Sequence, residues 1–545
     1  MLFNYAYRGN SAVTNSGAAT AMSFVPDARR APTFFRGELA RKIEFREAIS
    51  ALHDVVVSDL RFKPKDRAAY KEWAAAREQT DWQAAARQSA ELKAQIDLLQ
   101  RELSELDRRR SSRWQPFYAA RAAYFNYVYQ KQRDLWFVLD PVITVHPDEV
   151  FFECFSEDES SYGRLGAGYE VFERVGDFGC GTTNIDYSAA LYDEFQKIRT
   201  YKETRFEIDP AGFALATTGE SDYREVKIDL PESWLRGFLQ VSSAMSLPAV
   251  SFYLDPLDVH NICFVLRRRK ERAGPRAMRY VLQPGAPVKI VFEPWNAEIV
   301  CARTRYEGDE PHEIRVWGRR RLLILERLIA VARKFTVHLL GSGLPSFYVA
   351  DLGAMNFTLG LSGWTANDWS RAGNFDLLAP RYAADDLTKR RVFDALRETW
   401  FAAPDELAGR LKLDRREVLG ALAAYTQAGR AIYDLNRKVY RVRELAREPL
   451  PVDALRFANE REAAAAHLLE ARAVTLKSRE IKSNGALEIS GAVKDRGKYE
   501  TARLVVDSDE RLIEAACSCR FFLANKLFKG PCEHVLALRL SHARG

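Results

Sequence analysis

Four residues near the end of the chain have the types and the spacing that a metal site requires. Cys517 and Cys519 form a C-x-C pair, and after a gap of twelve residues Cys532 and His534 form a C-x-H pair. Three thiolates and one imidazole are a ligand set of closed, four-coordinate zinc sites. Alternate residues of a strand point to the same side, so the first pair can hold one ion from a strand end. The pattern predicts a structural Zn2+ ion bound by these four residues, in preference to reduced and inert cysteines.

The segments around these ligands agree with that prediction. Residues alternate around a polar turn between Tyr499–Asp507 and Arg511–Ala516, which predicts a β-hairpin. Pro531 marks a turn, and the apolar run after His534 predicts a short helix beside the metal. This order of hairpin, C-x-C, loop, C-x-H and helix resembles the SWIM-type zinc finger. The resemblance covers about the last fifty residues, and it implies an accessory module that contacts DNA or other proteins and is not a catalytic zinc centre.

Composition sets the broad class of the protein. The chain has 545 residues, of which 47% are hydrophobic and 28% are charged, enough for about three or four globular domains. No run of eighteen apolar residues exists and the N-terminus does not have the pattern of a secretory signal, so no membrane association is expected. Four cysteines outside the zinc motif are scattered singly, which suits a reducing, cytoplasmic location and buried structural roles. They are Cys154, Cys180, Cys263 and Cys301.

The positive charge is concentrated at the C-terminal end. Residues 388–545 contain thirty Lys and Arg against twenty-two Asp and Glu, a balance of +8, whereas the whole chain carries +7. The remainder is therefore close to neutral. Such asymmetry favours an anionic partner for the C-terminal end, although charge alone leaves open an ordinary solvated surface that happens to be basic.

An α+β protein of several domains is predicted. The predicted boundaries are 1–65 for an N-terminal segment, 66–135 for a helical hairpin or short coiled coil, 136–385 for an α+β body, 386–446 for a winged-helix-like domain and 447–545 for a linker and the zinc finger. Strands and helices of the body do not alternate strictly, which favours α+β over a doubly wound sheet. Specific expectations include strands at Val55–Phe62 and Asn261–Leu266 and helices at Ala40–Leu52 and Leu322–Phe335.

The helical hairpin is predicted from a short heptad seam between residues 92 and 106. The seam lasts for about two heptads, fewer than a stable coiled coil needs, so an antiparallel hairpin is favoured. Such a hairpin could be an arm for a protein partner or could pack on the body.

Residues 386–446 predict three helices followed by two short strands. The helices are expected at Lys389–Trp400, Pro404–Leu411 and Arg415–Ala428, and the third begins with a capping box formed by Asp414 and Glu417. This order resembles the winged helix-turn-helix. The resemblance implies that Arg415 and Arg416, at the start of the third helix, contact DNA in the major groove. Arg437 and Lys438, between the two strands, would contact the DNA backbone or the minor groove.

Three functions remain open from these patterns. The first is a non-enzymatic protein that binds DNA or another nucleic acid through its basic C-terminal modules. The second is an adaptor whose C-terminal modules and helical hairpin dock protein partners in a larger complex, such as a defence system; neutral pairing of Arg415 and Arg416 with carboxylates would favour it. The third is an enzyme with a site in the body.

No catalytic motif supports the enzyme. The glycine-rich segments lack the ending of a phosphate-binding loop. Asp209, Glu225 and Lys227 fit a nuclease pattern only loosely, and His260 beside Asp255 is expected to be structural. Two further basic clusters, at Arg267–Lys270 and Arg319–Arg321, are expected to be a solvated loop and a helix-entry turn.

Overall fold

The computed structural model describes the chain in segments. These are residues 12–15, 19–24, 33–58, 141–184, 192, 195, 196, 198–201, 203–208, 232–270, 277–363, 368–370, 374–378, 382, 384–445, 460–482, 486–506 and 512–544. The chain divides into two units, residues 1–59 with 139–545 and residues 60–138, and the described residues all belong to the first. The helical hairpin predicted at 66–135 and the loose nuclease pattern at Asp209, Glu225 and Lys227 lie outside the described residues.

The described elements are numbered in chain order. The strands are β1 (Ala12–Asn15), β2 (Ala19–Phe24), β3 (Phe35–Leu39), β4 (Val142–Val145), β5 (Glu149–Phe155), β6 (Ser161–Gly168), β7 (Phe172–Val175), β8 (Gly181–Asn184), β9 (Glu203–Ile208), β10 (Val250–Leu254), β11 (Met278–Leu282), β12 (Pro287–Phe292), β13 (Ala297–Arg305), β14 (His312–Val316), β15 (Lys334–Leu339), β16 (Ser346–Asp351), β17 (Met355–Leu361), β18 (Phe401–Ala402), β19 (Ala431–Asp434), β20 (Val439–Val442), β21 (Val474–Ile481), β22 (Leu487–Asp495), β23 (Lys498–Val506) and β24 (Leu512–Cys517). The α-helices are α1 (Lys42–Val56), α2 (Glu232–Met245), α3 (Pro256–Arg268), α4 (Asp386–Thr399), α5 (Pro404–Leu411), α6 (Arg415–Gln427), α7 (Glu460–Glu470), α8 (Arg520–Asn525) and α9 (Glu533–Arg544).

Within the described residues, the largest sheet has eight strands in the order β10-β15-β16-β17-β6-β5-β4-β8, all antiparallel. Every residue of β5 is buried, so both faces of the sheet centre are covered. Helix α1 packs Phe45 against Phe152 on one face, and α2 packs Trp234 and Phe238 against Phe155 on the other. Phe152 and Phe155 alternate in direction along the strand, which is why helices are needed on both sides. This mixed arrangement agrees with the predicted α+β class.

Two smaller sheets complete the body. The order β1-β2-β9-β3-β7 contains one parallel pair, β2 with β9, and the order β13-β12-β11-β14 is antiparallel throughout. The second of these sheets shares a continuous apolar core with α1, α3 and one side of the central sheet.

Three predicted elements of the chain are wrong. The strand predicted at Asn261–Leu266 lies inside α3, which begins with Pro256 and with a reciprocal capping box between Asp255 and Asp258. The strand predicted at Val55–Phe62 begins inside α1. The helix predicted at Leu322–Phe335 is a 3-10 helix at Arg319–Leu328 that is followed by β15. A short apolar run in a sequence fits both a strand and the buried face of a helix, so the conformation depends on how the segment packs in the folded chain.

Helices α4, α5 and α6 pack around a separate small core with the sheet β18-β20-β19. The helix bounds lie within a few residues of those predicted. The capping box predicted for α6 is present, with Asp414 accepting from the backbone of the first turn and Glu417 reaching back to Asp414. Gly429 follows the helix with a φ of 70°, a backbone conformation that glycine adopts without strain.

The C-terminal elements form the antiparallel sheet β21-β22-β23-β24, and α9 packs across it. Gly491 makes this close packing possible, because a Cβ there would lie 2.6 Å from Leu538 of α9. Leu504 and Val535 belong to the same apolar cluster as Phe238 and Phe347 of the body. The C-terminal sheet therefore shares its core with the body. No helix in the described segments is long and apolar enough to cross a bilayer.

Candidate metal centre

The four predicted ligands lie at the ends of three consecutive elements. Cys517 is the last residue of β24, and Cys519 is the N-cap of α8, where its Sγ accepts a hydrogen bond from the backbone N–H of Phe522 at 3.4 Å. Cys532 precedes α9 and His534 lies in its first turn. All four side chains are buried. A strand end, a helix start and a second helix start thus converge on one point.

The donor atoms fit one zinc ion. The three Sγ atoms and a ring nitrogen of His534 lie within 4.8 Å of one another, and Cys517 Sγ is 3.9 Å from His534 Nδ1. In a tetrahedral site with bonds of about 2.0–2.3 Å, ligand atoms are separated by roughly 3.5–3.8 Å. The distance of 3.9 Å between Cys517 Sγ and His534 Nδ1 is close to this range. Four protein ligands leave no open coordination position, which is the arrangement of a structural site.

His534 is oriented by a carboxylate. Its Nδ1 faces Cys517, and its Nε2 lies 3.4 Å from Oδ2 of Asp495, the last residue of β22. Nε2–H therefore donates to Asp495, and Nδ1 is left to bind the metal. Such a carboxylate fixes the ring orientation and raises the basicity of the ligand. Glu533 also lies close to Asp495 and His534.

The thiols lose their protons unequally. A hydrogen bond from Cys532 lowers the pKa of Cys517 to about 5, and the same hydrogen bond together with burial raises the pKa of Cys532. Burial also raises the pKa of Cys519. One thiolate therefore forms readily, while the other two thiols keep their protons until a cation compensates the charge. Zinc binding supplies that cation and releases the protons.

Comparison with known families agrees with this geometry. The family model for the SWIM zinc finger matches residues 503–541, a span that contains all four ligands. The chain carries a SWIM zinc finger. No curated protein matches the chain. Among solved structures the chain is similar to the proliferating cellular nuclear antigen of Entamoeba histolytica, at 8% sequence identity and a TM-score of 0.33, over 60% of this chain and 98% of that one. A TM-score this low does not establish a shared fold.

The SWIM finger is held against the body by its zinc loop, residues 520–531 between the two ligand pairs. The ring of Phe528 packs over Gly343, where a Cβ would lie 2.3 Å from the ring. Asn374 of the body donates to the carbonyl of Lys529 at 3.4 Å, and Arg461 of α7 donates to the same carbonyl at 2.8 Å. The zinc loop therefore connects the two ligand pairs and is also a contact with the body.

The predicted DNA contacts on α6 are engaged within the chain. Arg415 Nε donates to Asp405 Oδ1 at 2.5 Å, and the guanidinium of Arg416 lies 5.8 Å from the ring centroid of Tyr382. Beyond this first turn, α6 is buried from Val418 to Leu422. A recognition helix needs an exposed face to enter the major groove. In this structure α6 offers mainly its first turn to a partner.

Arg437 and Lys438, the predicted DNA contacts between β19 and β20, have different surroundings. Arg437 Nη1 donates to Asp148 Oδ2 at 2.7 Å, which ties the hairpin to the β4–β5 turn of the body. Lys438 is exposed, has a φ of 57°, and forms no ion pair or hydrogen bond within the described residues. Arg415 and Lys438 line one groove together, whereas Arg416 and Arg437 do not line it. The structure thus brings two of the four predicted contacts to the same place.

A buried charge network that sequence reasoning missed joins the body to the α4–α6 unit. Arg441 is completely buried and pairs with Asp434 at 2.7 Å and with Asp148 at 2.9 Å. Arg164 pairs with Glu149 and, at 3.5 Å, with Asp434. Against the effect of burial, Arg164 and Arg441 lower the pKa of Asp434 to about 2. Buried charges persist only when paired, so this network fixes the orientation of the unit on the body.

The only sequence signal for this network is the alternation of Arg441 and Arg443 on a predicted strand, which places both on one face. Asp434 lies seven residues before Arg441, but Asp148, the partner of Arg441 on the body, lies 293 residues before it. No local pattern connects the two segments.

The basic cluster Arg319–Arg321 forms the first turn of the 3-10 helix Arg319–Leu328, in line with the predicted helix-entry turn, and two of its side chains are internal. Arg319 is buried and donates to the carbonyls of Ala277 and Glu293. Arg321 is also buried and pairs with Asp158 at 2.7 Å. The cluster therefore braces the body and offers little charge to a partner.

The remaining minor predictions have mixed outcomes. Arg267–Lys270, predicted as a solvated loop, is solvent-exposed, and it lies at the C-terminal end of α3. His260, for which a structural role was predicted, is exposed on α3, and the neighbouring Asp255 and Asp258 form the capping box of that helix. Of the four scattered cysteines, Cys180 is half-buried; the others, Cys154, Cys263 and Cys301, are buried.

Proposed function

We propose that this protein is a non-enzymatic nucleic-acid-binding accessory protein whose structural zinc holds a basic hairpin in position. The observation that carries the proposal is the contact hairpin, residues 494–499 at the turn between β22 and β23. Lys494, Arg496 and Lys498 are all exposed there, and Tyr499 is 68% exposed. Cations that bind phosphate beside an aromatic ring that stacks on a base are a recurrent nucleic-acid-binding combination.

The contact hairpin has a defined shape. Arg496 and Gly497 both have positive φ angles, of 46° and 80°, as a two-residue type I′ turn requires. Lys494 and Tyr499 are cross-strand partners, and the ammonium group lies 5.9 Å from the ring centroid. The cations are thus presented on a rigid turn, which lowers the entropy lost on binding.

Zinc is coupled to this hairpin through one side chain. Asp495 lies in the hairpin and accepts from the zinc ligand His534. Loss of the metal would free His534 to move, and the contact hairpin would then no longer be held in place through Asp495. The basic surplus of residues 388–545 adds a longer-range attraction for a polyanion.

The α4–α6 unit has a different role in this proposal. Its order of helix, strand, helix, helix and two strands, with the sheet β18-β20-β19, resembles that of a winged helix. Arg415 and Arg437 are paired with Asp405 and Asp148, so we infer that the unit docks on the body and that the contact hairpin makes the principal nucleic-acid contact.

One observation favours the adaptor as a second candidate. Strand β21 is at the edge of the finger sheet, and its Ile481 and Leu476 are 78% and 48% exposed. An exposed edge strand with apolar side chains can pair with a strand of a partner protein. The pairing of Arg415 with Asp405 is also what this second function predicts.

Fluorescence anisotropy with the full zinc-loaded chain tests the proposal. Labelled duplex and single-stranded DNA are titrated across a range of salt concentrations. We expect log affinity to fall linearly with log salt. The double variant Lys494→Glu with Lys498→Glu should weaken binding and reduce the slope by about 0.7–0.9 for each phosphate that the variant no longer neutralises.

A matched control changes the same charge elsewhere. Lys270→Glu with Arg303→Glu alters two exposed cations of the body, and binding should stay within about twofold of the unaltered chain. Absence of binding at low salt by the folded, zinc-loaded chain would overturn the proposal and favour the adaptor.

A further inference from the structure

A groove of about 790 Å3 lies between the α4–α6 unit and the central sheet. Its floor is the face of β10, β15 and β16 that carries Tyr253 and His338. Its other wall is formed by the first turns of α5 and α6 and by the β19–β20 hairpin. This volume is in the range of pockets that enclose a ligand.

The hairpin wall supplies a cation that the fold does not use. Lys438 is exposed and forms no ion pair or hydrogen bond in the part of the chain that the structure describes. Lys438 lines the groove from the turn, and its φ of 57° is a backbone conformation that lysine rarely adopts. Arg415 joins it from α6, although its charge is shared with Asp405.

The sheet floor supplies an aromatic surface and neutral polar groups. Tyr253 is 45% exposed, and Lys334 Nζ lies 4.6 Å from its ring centroid. Ser251 Oγ and His338 Nδ1 are 2.8 Å apart. Burial and the nearby Lys438 lower the pKa of His338 to about 4, so its ring is neutral and can pair with polar groups of a ligand.

Carboxylates also line the groove, and their placement matters. Asp405 is paired with Arg415, and Asp351 is the direct cross-strand neighbour of Lys334. Glu307 is exposed at the groove. Lys334 and Lys438 both line the groove, and neither forms an ion pair with a carboxylate among the described residues; Lys438 lies at the hairpin end.

We propose that this groove binds a short segment of single-stranded nucleic acid, with a base stacked on Tyr253 and a phosphate at Lys438. The proposal rests on the nucleic-acid-binding function above and adds to it the strandedness of the ligand and a second site. An aromatic platform beside lysines is the arrangement by which proteins hold single strands without reading their sequence. The contact hairpin would capture the polyanion, and the groove would retain only a single strand.

Binding of a labelled twelve-residue oligothymidylate and of a matched duplex to the full zinc-loaded chain tests this inference. Tyr253→Ala should weaken single-strand affinity about tenfold, whereas Tyr253→Phe keeps the ring and should retain it. Lys438→Asn removes the charge with a residue that tolerates positive φ, and should weaken single-strand affinity about fivefold. Duplex affinity should stay within about twofold in all three variants, and thermal unfolding checks that each variant folds.

The outcomes separate this inference from the proposed function. One outcome is that the double variant Lys494→Glu with Lys498→Glu in the contact hairpin loses affinity for single-stranded DNA while Tyr253→Ala and Lys438→Asn keep it. That result overturns the groove proposal and leaves the nucleic-acid-binding function standing. If no oligonucleotide binds the folded chain, both are overturned. If Tyr253→Ala weakens binding of a peptide pool but leaves oligonucleotide binding intact, the groove is a peptide site and this proposal is wrong.

Discussion

Substitution of Asp495 tests how the zinc site is built. Asp495 accepts from Nε2 of His534 at 3.4 Å and its side chain is 27% exposed. Asp495→Asn keeps an acceptor in place and removes the negative charge, whereas Asp495→Ala removes both. Because the carboxylate orients the ring and raises its basicity, both variants should bind zinc more weakly, and the alanine variant should be the weaker of the two.

The size of the effect follows from this geometry. Loss of a carboxylate that supports a metal ligand costs about 10- to 100-fold in affinity, or about 1.4–2.7 kcal/mol. The Asp495–His534 contact is longer than the usual 2.9–3.0 Å and is partly exposed to water. We therefore expect about a tenfold loss for Asp495→Asn and a loss nearer to 100-fold for Asp495→Ala.

Zinc affinity is measured by competition with a chromophoric chelator in zinc-buffered solution. Glu480→Gln is the matched control, because it removes one negative charge from an exposed position of β21 in the same sheet. The reasoning is refuted if both Asp495 variants bind zinc within twofold of Glu480→Gln. Complete loss of zinc in Asp495→Asn would instead make Asp495 a direct ligand, through the group that it forms with Glu533 and His534.

Two further predictions concern the zinc ligand Cys532 and the buried network. Cys532→Ala should abolish stoichiometric zinc binding and increase hydrogen exchange in β23, β24 and α9, because the free energy of zinc binding contributes to the stability of the folded finger. Retention of one zinc ion per chain in this variant would contradict the ligand assignment. His146 is buried, donates from Nε2 to Val442, and has a pKa lowered to about 3 by burial and Arg441. Since the unfolded chain protonates this residue near pH 6.5 and the folded chain does not, stability falls as pH drops through 6.5, by about 2 kcal/mol between pH 7 and pH 5. In His146→Gln the free energy of unfolding, measured with urea at pH 7 and pH 5, should no longer contain this difference of about 2 kcal/mol. A pH dependence equal to that of the unaltered chain would contradict the conclusion that His146 is buried in its neutral form.

Local sequence patterns were sufficient to predict features that depend on residues close together in the chain. The C-x-C and C-x-H pairs lie at a strand end and at a helix start, so the spacing alone indicates which side chains can converge on one ion. The capping box of α6 and the turn at Gly429 are equally local, because their hydrogen bonds join residues a few positions apart. Prediction failed at Asn261–Leu266, because a short apolar run fits both a strand and the buried face of a helix.

Tertiary structure determines whether each arginine is exposed to a partner or paired within the chain. Arg437 was predicted to reach DNA, but Asp148, 289 residues away in the chain, lies beside it. Arg319, Arg321 and Arg441 are buried against partners that no local pattern could identify. The sequence by itself determined the zinc ligands and the basic character of the C-terminal end, since both depend on residue type and short spacing. Only the tertiary structure decided which cations remain exposed to a partner, because burial and ion pairing depend on segments that meet only in the folded chain.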